Sequence, residues 1–300
     1  MSVKANSAVD VSVANVSTPE ITEVTTTNHP AQSTSTSATG NRLAIILSIA
    51  AVYIIWGSTY LAMRFAVESF PPFMMTATRY LCAGGIMLVI LVVRGEQLPT
   101  FKQIRNAALI GSLMLGVGTG GVAFAEQWVA SGLAALAVAA VPVWTALFAG
   151  FWGRFPNRAE WIGLALGLSG VALLNLEHGL QANPLGALAL LVGPISWAFG
   201  SMLSRQITLP SGLMATAIEM IGGGIFMAVI SLLTREHFQG QMTSASVLAL
   251  LYLIVFGSLI AFNAYMYLLK NVRPVMATSY AYVNPVVAVL LGVIFAGETM

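Results

Sequence analysis

Two ionised side chains stand inside long apolar runs, Arg79 in FMMTATRYLCAGGIM and Glu219 in LMATAIEMIGGGIFM. A charge in such a run is costly to bury and commonly marks a substrate or ion path. Arg79 could hold an anionic group of a substrate, and Glu219 a cation or a proton. The structural alternatives are an arginine snorkelling to headgroups and a glutamate in a wetted vestibule. Pro142 and Pro285 each remove a helical N–H and crowd the carbonyl four residues earlier, at Val138 and Ala281. Each is therefore expected to bend its helix, as a hinge or as a static kink. Tyr280 and Asn284 share a helical face, as do Asn263 and Tyr267. Such groups can bond helix to helix, but two polar faces on consecutive apolar runs read better as a cavity wall. Trp56 and Trp197 each precede an arginine, Arg64 or Arg205, by eight residues. That is too deep for an interfacial anchor, so both join the wall. Glu126, at the end of its run, reads as a solvated cap.

Other chemistries lack residues. The three histidines, His29, His178 and His237, fall between or before the apolar runs, and the single aspartate is Asp10. The single cysteine, Cys82, lies within a run, so no internal disulfide or Cys-based metal site can form. No metal, cofactor or carboxylate dyad is expected, and there is no phosphate-binding GxxxxGK[ST] loop. An intramembrane enzyme is accordingly not expected. The formal net charge of +2 gives no reason to expect a nucleic-acid partner.

These residues have to be held by something. Of 300 residues, 57% are hydrophobic and 8% charged, against about a quarter charged in a soluble domain. With a mean hydropathy of +0.84 and recurring apolar runs, the chain is expected to be all-α, a polytopic helical membrane protein in lipid contact. Residues 1–40, rich in Ser and Thr, read as a disordered polar tail. Nine spans follow, near 43–62, 73–93, 107–125, 131–151, 161–176, 185–203, 213–233, 246–268 and 275–295. With the tail placed in the cytoplasm, ten Lys and Arg residues fall on inner segments and two, Arg64 and Arg235, on outer ones. That asymmetry orients the chain with a cytoplasmic N-terminus.

The halves repeat. WGSTYLAMR (Trp56–Arg64) returns as WAFGSMLSR (Trp197–Arg205), 141 positions on. Shifted by 140, the Arg79 run overlays the Glu219 run, matching Met74 to Met214, Thr76 to Thr216, Gly84 to Gly224 and Met87 to Met227. Shifted by 143, Pro142 meets Pro285. The repeat units are read as 41–178 and 179–300. A unit of five helices is odd, so its second copy enters from the opposite face, giving an inverted repeat as in many secondary transporters. The second copy is one helix short, and a tenth helix is expected beyond Met300. Arg79 and Glu219 would each lie about 9 Å deep, at 1.5 Å per residue, but from opposite faces. In a core about 30 Å thick their depths differ by roughly 12 Å, so no direct salt bridge is expected.

YIIWGSTY (Tyr53–Tyr60), ESFPPFMM (Glu68–Met75), GPISWAFG (Gly193–Gly200) and SYAYVNPVVAVLLG (Ser279–Gly292) together resemble the drug/metabolite transporter superfamily, specifically the EamA-type exporters of bacterial inner membranes. The resemblance runs from about residue 43 to 300. It implies ten helices in two five-helix units, both termini cytoplasmic, and export of small metabolites or drugs. The expected function is therefore alternating-access export of a small-molecule substrate, with protons as the candidate coupling ion. A channel or a structural membrane scaffold is the alternative, and a homodimer is compatible with the sequence.

Overall fold

The computed structural model describes residues 35–153, 155–173, 183–238 and 241–296. Among these, eight helices are long and apolar enough to cross a membrane. They are α1 (Arg42–Val67), α2 (Pro72–Val93), α3 (Phe101–Ala125), α4 (Ser131–Phe151), α6 (Pro184–Leu203), α7 (Gly212–Leu233), α8 (Ser244–Asn271) and α9 (Pro274–Ala296). Between α4 and α6 runs α5 (Arg158–Leu173), a helix of 16 residues at the place of the expected fifth span. The rest of that span, the end of the chain at Met300 and most of the tail lie outside the described residues. Residues 35–40, read above as tail, are already helical and lead into α1; a helix held in place by packing extends cheaply at its end.

Local chemistry sets the helix starts. Proline occupies the first turn of α2, α6 and α9, where its missing N–H costs nothing. Thr100 and Gln103 close a capping box at the start of α3, with Thr100 N donating to Gln103 Oε1 at 2.9 Å. The outer surface is apolar, with Val93 81% and Leu232 78% exposed, as a lipid-facing wall must be.

Three helices change pitch. Val52–Trp56 in α1, Ser112–Thr119 in α3 and Leu253–Phe262 in α8 are π-helical. Stretches of this kind are rare and concentrate at functional sites. Those in α3 and α8 begin 141 positions apart, the offset of the two tryptophans. Two helices break. In α4 the chain turns at Ala139–Ala140 and restarts at Val141, with Pro142 in the new first turn. In α9 the turn falls at Thr278–Ser279, and Pro285 sits within the helix that follows. The expected interruption at Pro285 is thus displaced towards the N-terminus. There Thr278 and Ser279 hydroxyls donate to the carbonyls of Pro274 and Met276, at 3.0 and 2.7 Å, and stabilise the turn.

Helices α2 and α7 pack closely through small residues, and the contact is reciprocal. A Cβ on Gly84 would stand 2.9 Å from Ile221 Cγ1, and one on Gly224 would stand 2.8 Å from Leu81 Cγ. Since 84 corresponds to 224 and 81 to 221 in the repeat, the same contact is made twice.

Candidate functional site

Four aromatic rings meet where these helices converge. Trp56 (α1) and Trp197 (α6) pack edge to face with centroids 5.4 Å apart. Tyr265 (α8) lies 5.1 Å from Trp56 and 5.5 Å from Trp197, and Tyr280 (α9) lies 4.9 Å from Trp56. Three of the four polar edges are bonded internally. Trp56 Nε1 donates to Gly257 O at 3.1 Å, Trp197 Nε1 to the Tyr265 hydroxyl at 3.3 Å, and that hydroxyl bonds Ser201 Oγ at 2.8 Å.

Beside this cluster lies a small cavity of about 60 Å³. Its wall includes Trp56, Tyr60, Arg79, Tyr80, Trp197 and Tyr280, with valines from α3 and α4. Each π stretch contributes: Trp56 from the first, Gly118 and Thr119 from the second, Gly257 and Phe262 from the third. Val138, whose carbonyl loses its partner to Pro142, and Pro194, within α6, also line it.

Arg79 is 3% exposed, so it does not snorkel. Its Nε donates to Ser258 Oγ at 2.8 Å, and its guanidinium lies 4.9 Å from the Tyr80 ring centroid. It makes no ion pair with Glu219; among the described residues the ion pair present is Glu160–Arg273. Glu219 is fully buried on α7, and neither carboxylate oxygen has a hydrogen-bond partner. It lies outside the cavity wall, backed by Gly111 of α3, whose missing side chain leaves room for the Glu219 carbonyl. Glu126, expected as a solvated cap, is buried instead at the end of α3. Arg64 reaches across and donates to its backbone carbonyl at 2.7 Å. Arg205 makes an equivalent bond, donating to the carbonyl of Val272 just after α8 at 3.3 Å. Both arginines thus sit on helix C-termini, where a cation is favoured.

Of the seven residues read as cavity wall, Trp56, Arg79, Trp197 and Tyr280 line it. Asn263, Tyr267 and Asn284 do not. Asn263 accepts from Thr216 Oγ1 at 2.7 Å and donates to Leu259 O, joining α8 to α7. The Asn284 amide, oriented to suit its neighbours, donates to Tyr53 O at 3.2 Å and Tyr280 O at 3.1 Å. On the α-helical part of α8 that follows its π stretch, Tyr265 packs into the aromatic cluster instead. Tyr60 and Tyr80, which line the cavity, and Tyr265 of the aromatic cluster were not among the predicted residues. Tyr60 was within reach, standing one turn beyond Trp56 on the same face.

On the opposite side of the aromatic cluster, Arg205, Lys270 and Arg273 line a groove together with Glu160. Both Glu160 oxygens accept from Arg273, Oε2 at 2.7 Å from Nη2. The Arg273 hydrogen bond holds the Glu160 carboxyl below the usual range.

Comparison with known proteins agrees with this architecture. The EamA-like transporter family matches residues 43–176 and 184–300. The chain is 50% identical over 259 residues to an uncharacterized inner membrane transporter, YedA, of Escherichia coli (strain K12), covering 86% of this chain and 85% of that one. Protein PecM of Dickeya dadantii is 26% identical, covering 80% of each chain. A solved crystal structure superposes with a TM-score of 0.67 at 20% identity, over 87% of this chain and 90% of that one, which establishes the fold.

Proposed function

Since the chain belongs to the EamA-like transporter family and is a multi-pass inner-membrane transporter, we propose that it exports small metabolites or drug-like compounds by alternating access, with proton coupling at Glu219. The observation that carries this reading is the Trp56–Trp197 contact. Residues from equivalent positions of the two repeats meet at the floor of one cavity. From that meeting point each helix runs to an arginine: Trp56, Tyr60 and Arg64 towards one rim, Trp197, Ser201 and Arg205 towards the other. With the N-terminus cytoplasmic, the cavity occupies the outer half, and the aromatic floor closes the path inwards. Rocking the two inverted units about their shared seam would exchange open and closed ends. The reciprocal α2–α7 contact supports such an axis.

Glu219 fits a coupling role because an ionised carboxylate without partners is costly inside a bilayer. The expected test is counterflow in proteoliposomes, using radiolabelled amino acids and small amphiphiles. A carrier accelerates uptake of label when unlabelled substrate waits on the far side. Uptake indifferent to the far side would instead favour a channel.

A further inference from the structure

Resting on the transporter reading, we infer that the cavity takes a monocarboxylate with an apolar or aromatic body, and discriminates against amines and zwitterions of the same shape. Arg79 is the one charged residue in the wall; among its described residues no Asp, Glu, Lys or His appears. Its Nε is committed to Ser258. Among the described residues no acceptor is bonded to its two terminal nitrogens, and Nη2 lies against Gly257, where a Cβ would come within 2.6 Å of it. A side chain at 257 would push the guanidinium away from the wall. A buried guanidinium with its fork unoccupied suits a carboxylate, which accepts two parallel N–H bonds. Glu126 acts on Arg79 electrostatically but lies outside the wall.

One positive charge sets the valence. A doubly charged phosphate monoester would leave charge uncompensated in a buried site, and an ammonium would find no carboxylate in the wall. The rest of the wall is suited to the ligand's body: Trp56 and Trp197 present ring faces because their N–H groups are used internally, and Tyr60, Tyr80, Phe262 and valines continue the apolar surface.

An independent feature points the same way. The groove beyond the aromatic floor carries three cations against one carboxylate, and Arg273 occupies that carboxylate. It connects to the floor through α8, which bears both Tyr265 and Lys270, and through the Ser201–Tyr265 bond one turn from Arg205. A groove of that sign concentrates anions on its side of the aromatic cluster.

The experiment uses the purified full chain and one apolar body with four head groups: 3-phenylpropionate, 3-phenylpropanol, 3-phenylpropylamine and phenylalanine. Binding is read by isothermal titration calorimetry. Phenylpropionate is expected to bind at least about tenfold more tightly than the other three, the difference of a charge-assisted bidentate pair. Arg79→Gln is expected to abolish that preference while leaving binding of the neutral alcohol. Equal or better binding of the amine or the amino acid overturns the inference, as does failure of the carboxylate to bind at millimolar concentration. The wild-type series decides the matter should Arg79→Gln not fold. Counterflow of the same compounds separates the two readings. A carboxylate that binds but does not exchange contradicts transport and spares the ligand class. An amine that exchanges more readily than the carboxylate spares transport and contradicts the class.

Discussion

Glu219 and Arg79 stand at equivalent places in the repeat and have opposite surroundings. Arg79 faces a cavity and keeps a hydrogen bond to Ser258; the Glu219 carboxylate is fully buried and has none among the described residues. If Glu219 carries the coupled proton, Glu219→Gln is expected to remove the dependence of uptake on an imposed pH gradient while exchange counterflow continues. Unchanged gradient dependence would end its coupling role. Both charges were legible in the sequence because an ionised group in an apolar run announces itself. Their partners were not: Ser258 lies 179 positions from Arg79, and nothing local ties the two. The glycine beside Glu219 is a second hidden partner. Gly111→Ala would drive a methyl into the Glu219 carbonyl, so it is expected to lower stability by about 1–3 kcal/mol in a denaturation assay, the range for overpacking a tight interface.

Helices were read well where composition decides and poorly where backbone pitch does. Span positions followed from apolar runs, and Pro142 correctly drew attention to a break in α4. The π stretches left no comparable sign, and in α8 the residue that joins the aromatic cluster is Tyr265 and not Asn263. The repeated Trp-to-Arg phrase gains a physical sense in this setting. It spans two helical turns, enough to join the central ring cluster to a rim, where the arginine clasps the end of α3 or α8. A hydrogen bond from a charged donor contributes about 1.5 kcal/mol, so releasing one should raise exposure of its side on the order of tenfold. Arg64→Ala is expected to speed thiol modification of a Thr59→Cys probe added from the cavity side, and Arg205→Ala that of a Ser201→Cys probe from the other. Equal rates with and without each arginine would show that the clasps do not restrain opening.

Across the whole molecule, the two faces are held by different means. One face joins α5 to the segment before α9 through Glu160 and Arg273. Because the folded Glu160 carboxyl titrates below its ordinary value of about 4.3, the clasp contributes fully above that value. It is lost only as the pH falls through the depressed folded value. Thermal stability of Glu160→Gln and the parent should therefore differ by a constant amount from pH 5 to 8 and converge in acid. The difference should be small, because Arg273 is exposed.

The central claim is that two similar bundles are threaded in opposite directions around one cavity. It is tested most directly by labelling single cysteines with a membrane-impermeant maleimide in intact cells, after Cys82→Ser removes the native thiol. Probes at the exposed positions Glu68, Gln127 and His237 are expected to react from outside. Probes at the exposed positions Lys102 and Lys270 are expected to react only after the membrane is opened. Reaction of Lys270→Cys in intact cells would place the second bundle the same way up as the first and contradict the account.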